Sequence, residues 1–122
     1  MATLTATTIK PGTTPLLTVI VDGQAIQDAT IYVTIDMGDR SLVKSNWNNC
    51  PDVTAEAIYD DDEAQVGTEI SVQFSQDETL FLRPGNASIE VGWVFEDGTA
   101  DKSNIGRLRI PKTLYKGVMI YG

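Results

Sequence analysis

Histidine is absent from this 122-residue sequence, and cysteine occurs once, as Cys50. Without an imidazole there is no His general base, no Ser-His-Asp or Cys-His nucleophile system, and almost no catalytic zinc arrangement. A lone cysteine excludes an intrachain disulfide. Cys50 is flanked by Asn49, Pro51 and Asp52, with no adjacent base to hold a thiolate. Phosphate-cradling glycine loops of the GxxxxGK[ST] and GxGxxG types are missing. No run approaches the ~18 apolar residues of a membrane span. The start, Met1-Ala2-Thr3-Leu4-Thr5, lacks the basic and apolar regions of a signal peptide. Bases are few, nine against 17 acids, and the net charge of −8 repels phosphate backbones and anionic bilayers. These absences predict a non-enzyme without catalytic residues, cofactor or metal. They also predict synthesis in a cytoplasm and no nucleic-acid or membrane partner.

What is present suits strands. Apolar residues make up 42% and charged residues 21%, enough for one ordinary core in one domain. β-Branched and hydroxylated residues abound, and short apolar stretches recur between turn residues, as in sandwiches and barrels. Residues 3–9 read as a Thr-rich strand ending at Lys10-Pro11-Gly12. Residues 16–21 are apolar on both faces, predicting a strand covered on both sides, and Asp22-Gly23 reads as a tight turn of the hairpin kind. Thr30–Asp36 alternates, with Ile31, Val33 and Ile35 on one face, and Met37-Gly38-Asp39-Arg40 turns it into a return strand, Ser41–Ser45. Val53–Tyr59 reads as a short strand and residues 60–67 as an exposed loop. Ile70, Val72 and Phe74 alternate again. Ser75-Gln76-Asp77-Glu78 has the form of a capping box, predicting one helical turn near residues 76–80 that carries Leu80 inward. In residues 87–96, Ile89, Val91, Trp93 and Phe95 share the face expected at the core centre. Asp97-Gly98 makes a further hairpin, the chain returns through residues 105–110, and Pro111 ends that strand. The division expected is a sandwich domain over residues 1–111 and a separate segment over 112–122.

Several groups invite a functional reading. Asp60-Asp61-Asp62-Glu63 offers clustered oxygens, but lacks the ligand spacing and central glycine of an EF-hand loop and reads as a solvated loop. Trp47 and Tyr59 are candidates for a sugar-stacking platform or for capping a sandwich edge. Residues 112–122 carry Leu114, Tyr115, Val118, Met119, Ile120 and Tyr121, an apolar content unusual for a terminus. That segment reads either as a donor that docks on the unpaired edge of a partner or as the domain's own last strand. Burying six such side chains contributes on the order of 10 kcal/mol gross, at ~1.5–3 per residue, much of it offset by ordering. Charge is also uneven: residues 101–122 hold five bases and one acid, which leaves four bases and 16 acids before them, +4 against −12. Opposite-sign regions present complementary surfaces to identical or related neighbours.

Four segments together resemble a known group. They are Gly12-Thr13-Thr14-Pro15-Leu16-Leu17 after the Thr-rich start; Ala29-Thr30-Ile31-Tyr32-Val33-Thr34-Ile35; Ile70 to Leu80 running into Pro84-Gly85; and Ile89-Glu90-Val91-Gly92-Trp93-Val94-Phe95-Glu96-Asp97-Gly98. Over residues 8–114 the chain resembles small structural proteins of the tail and baseplate clusters of tailed bacteriophages and prophages. It is also similar to the N-terminal domain of upper-baseplate proteins. The resemblance implies an all-β, Ig-like antiparallel sandwich acting as a virion adaptor or decoration subunit. Its partners would be other virion proteins, in a homo- or hetero-oligomer. Head fibres and head decoration proteins also use small β domains, so head placement stays open. Upper-baseplate proteins continue into a linker and a further partner-binding region, whereas this chain ends near the end of the domain, which leaves its docking neighbour open.

Overall fold

The computed structural model describes residues 2–4, in backbone only, and 8–122. Alternation dictates its strands. In Thr30–Asp36, β3, the side chains of Ile31, Val33 and Ile35 are fully buried while Tyr32 and Asp36 face out. Around it lie Ala2–Leu4 (β1), Leu16–Asp22 (β2), Ser41–Ser45 (β4), Val53–Tyr59 (β5), Gln65–Gln73 (β6), Gly85–Val94 (β7), Ala100–Lys102 (β8) and Gly106–Ile110 (β9). One six-residue helix, Gln76–Phe81 (α1), follows β6, and a single 3-10 turn, Trp47–Asn49, follows β4.

The strands form two antiparallel sheets, ordered β1-β2-β6-β5 and β4-β3-β7, with β8 and β9 sharing the far side of β7. That order is the Ig-like sandwich with one extra strand beside β3. The N-terminal segment completes it by changing sheets. β1 pairs with β2, whereas Thr8 bridges β9 in parallel and the Ile9 amide donates to the Arg109 carbonyl at 3.0 Å. Between the sheets lie the inward side chains of every long strand, among them Leu17, Val19, Ile70, Val72, Val91, Trp93 and Leu108, with Phe74 just beyond β6.

Several expectations are corrected. Residues 5–7 of the first expected strand lie outside the described residues. β2 is covered on one side: Leu17, Val19 and Val21 are buried, whereas Leu16 is 57% exposed and Ile20 half-buried, because only one face of an outer sheet meets the core. Gly23 has the positive φ expected, 74°, yet the turn is no hairpin; it carries the chain across to the other sheet. The loop expected at 60–67 is shorter, since β6 begins at Gln65. In the helical turn the fully buried residue is Thr79, followed by Leu82, while Leu80 is only half-buried. The return after Asp97-Gly98 is two strands, because the Ser103 hydroxyl accepts from the Val91 amide at 3.0 Å where a strand would offer a carbonyl. The last-strand alternative fails: residues 112–122 form no strand.

β2 and β6 approach so closely at Gly67 that a Cβ there would sit 2.9 Å from the Val21 carbonyl oxygen, a backbone atom. The Gly67→Ala variant should therefore lose about 1–3 kcal/mol, the usual cost of overpacking, read as a lowered urea midpoint with unchanged slope.

Candidate assembly surface

Strands of both sheets run between two ends. One end holds α1, the β3–β4 turn and residues 111–122; the other holds the 23–29 crossover, the β5–β6 turn and the Asp97-Gly98 hairpin.

At the first end, α1 is fixed by a complete capping box. The Ser75 hydroxyl accepts from the Glu78 amide at 3.2 Å, and the Glu78 carboxylate accepts from the Ser75 amide at 2.8 Å. Thr79, on the buried side of this helix, organises the segment beneath it. Its hydroxyl accepts from the amides of Gly12, at 3.0 Å, and Thr13, at 3.1 Å, and donates to the Thr13 carbonyl at 2.8 Å. Gln76, on the same helix, grips the C-terminal segment through both ends of its amide: it accepts from the Met119 amide at 2.7 Å and donates to the Met119 carbonyl at 3.0 Å. The segment is thereby held while its apolar side chains point away from the sandwich. Leu114, Ile120 and Tyr121 are 90% exposed or more, and Tyr115, Val118 and Met119 lie between 41% and 64%. Phe81 of α1 adds a further exposed ring, with the Arg40 guanidinium 5.0 Å from its centroid.

A second device closes the sandwich beside α1. β4 is an edge strand, and its register, Val33 opposite Lys44, turns Lys44 inward. The ammonium lies 2.9 Å from Asp52, 2.7 Å from Glu78 and 5.7 Å from the Phe74 ring centroid, with the side chain 5% exposed. Burial alone would lower the Lys44 pKa; the hydrogen bonds to Glu78 and Asp52 outweigh it and hold the value above 10.5. Burial acts to raise Glu78, but the bonds from Lys44 and Ser75 leave it below its ordinary 4.5. The Lys44 hydrogen bond, then its charge, lowers Asp52 below 3.8. An inward charge of this kind also blunts the edge against stray strand pairing.

The other candidates sit on strands and turns outside α1. Trp47, 65% exposed, sits on the 3-10 turn after β4; Tyr59, 61% exposed, ends β5, with Val66 of β6 also exposed beside the same turn. The Asp60 carboxylate is turned onto its own loop, accepting from the amides of Asp62 at 2.9 Å and Ala64 at 3.0 Å, and so shapes a turn. A groove of about 560 Å³ crosses the outer face of the second sheet between Tyr32, Gly92, Val94 and Lys102, where Lys102 faces Glu90 at 3.6 Å. Among the described residues no helix is long and apolar enough to cross a membrane. No family model matches the chain, and no curated protein is significantly similar to it.

Gln76, Thr79 and Lys44 escaped the reading from sequence. The Ser75-to-Glu78 box did locate α1, and the Met37-to-Arg40 hairpin fixes a register that turns Lys44 inward, so two signals were present. Nothing local marks Gln76 as the holder of Met119, 43 positions away.

Proposed function

We propose that this protein is a structural subunit of a tailed-bacteriophage virion, a non-enzymatic adaptor or decoration protein of tail or baseplate. It assembles through its sheet edges and C-terminal segment. The observation that carries this reading is the held C-terminal segment with six large apolar side chains facing outward. A closed sandwich has already satisfied its own core, and an apolar patch left over marks an interaction site. Because Gln76 fixes the segment at Met119, less ordering entropy opposes docking than for a free arm. The resemblance of residues 8–114 to baseplate-cluster proteins supplies the virion setting.

The test is deletion of residues 112–122 in the phage background. The truncated protein should keep its thermal midpoint within a few degrees, since those apolar side chains contribute little to the core, yet be missing from purified particles. Incorporation at the normal level would overturn the proposal.

A further inference from the structure

The two ends of the sandwich differ in charge as well as shape. At the α1 end Lys10, Lys112 and Lys116 make no ion pair among the described residues; Leu114 and Tyr115 lie between the last two, and Val118, Met119, Ile120 and Tyr121 follow them. At the opposite end, residues 22–29, 60–64 and 95–99 contain eight acids and no base, four of the acids in the single turn 60–63. That turn is flanked by exposed apolar side chains, Tyr59 at 61% and Val66 at 43%. One end therefore offers an apolar ridge set among lysines, the other an apolar seat within an acidic rim. This is the pairing of apolar centre and polar margin that protein interfaces use.

We propose that the C-terminal segment of one copy docks on the acidic end of a second copy, with Tyr59 and Val66 under its apolar side chains and residues 60–63 facing Lys112 and Lys116. The inference rests on the reading of that segment as the assembly surface and names its partner as the same chain. Like ends repel: joining two α1 ends would set lysines against lysines, and joining two acidic ends would set eight acids against eight. The contact is thus head-to-tail, and such contacts close into rings or extend as filaments according to the rotation between copies. Each copy carries −8 overall, but repulsion between whole molecules is largely screened beyond ~8 Å at physiological salt, whereas charges in contact are not.

The experiment is sedimentation velocity over a concentration series, on the full chain and two charge-reversed variants. In one, Asp61→Lys and Asp62→Lys take the 60–63 turn from −4 to 0; in the other, Lys112→Glu and Lys116→Glu make the C-terminal segment acidic. Asp60 is left intact because it shapes the turn. The wild type should self-associate, more weakly at ~1 M salt, where the screening length falls to about 3 Å. Each variant alone should associate about tenfold more weakly or worse, while an equimolar mixture should recover association as a 1:1 complex, since the lysines on the first variant's C-terminal segment then meet the intact acidic end of the second. Recovery on mixing also shows that neither variant has simply misfolded. A wild type that stays monomeric throughout, or variants that associate as the wild type does, overturns the proposal. A monomeric wild type that still needs residues 112–122 to enter particles would place a different protein on the segment, leaving the proposed function standing.

Discussion

Replacing Thr79 by valine should cost about 3 kcal/mol of folding stability, although the two side chains have nearly the same shape. The substitution removes no volume, so no cavity term enters. It removes one oxygen that accepts from the Gly12 and Thr13 amides and donates to the Thr13 carbonyl, with the Gln76 carbonyl also within reach at 3.2 Å. Thr79 is fully buried and Gly12 is buried with it, so solvent does not replace the lost partner. Leaving a buried polar group unsatisfied costs about 1–3 kcal/mol, and the half-buried Thr13 groups add less than Gly12. Thr79→Ser keeps the oxygen and loses one methyl, for about 1 kcal/mol. A urea series on the three proteins separates the explanations: equal losses in the two variants would mean that packing, not hydrogen bonding, sets the energy. A Cβ built on Gly12 would sit 3.8 Å from the Gly117 carbonyl oxygen, so Gly12 borders the C-terminal segment and the valine variant should loosen its base as well.

What was legible in the sequence follows from the range of the interaction that sets each feature. β3 and β7 were readable because period-two alternation is local, and the burial of Trp93 near the end of β7 follows from that alternation alone. The capping box was readable because both of its hydrogen bonds span three residues. β2 misled because Leu16 and Ile20 are apolar yet face outward, and apolar surface is common enough that exposure cannot be inferred from residue type. Asp22-Gly23 misled because a positive φ reports a sharp change of direction and not which sheet the chain enters next. Thr79 and Thr68 look like ordinary surface residues. Their burial is set by partners far along the chain: Gly12 for the first, and for the second the Ile26 amide and Gln24 carbonyl. The C-terminal segment was legible as apolar and as a candidate surface, but its hold on Gln76 depends on a fold that brings residues 76 and 119 together.

Acid should weaken the sandwich through the group that closes its β4 edge, and Lys44→Ala should reduce that sensitivity and cost about 2–4 kcal/mol of stability. Removing one partner of a buried ion pair costs about 3–5 kcal/mol; the figure is reduced here because Asp52 is 47% and Glu78 29% exposed, so water takes back part of their charge. The alanine also gives up the Lys44 stem packed in the interior and its approach to Phe74. Lys44→Met removes the same charge but keeps the stem, so its loss should fall at the lower end of that range, about 2 kcal/mol, which isolates the charge. The signs of the pH effect follow from the shifts. Glu78 and Asp52 are held below their ordinary values of 4.5 and 3.8, so the unfolded chain takes up their protons first. Their contribution is complete above about pH 5 and is lost as pH falls through the depressed folded values. Lys44 is held above 10.5, so its contribution is complete below that value and is lost as pH rises through the folded one. The wild type should therefore show a plateau between those limits with an acid limb and an alkaline limb. In Lys44→Met the alkaline limb should shrink and the acid limb become shallower, leaving for Glu78 the part supplied by Ser75. An unchanged acid limb in that variant would mean that other carboxylates govern acid unfolding and that the charge of Lys44 contributes nothing to closing the edge.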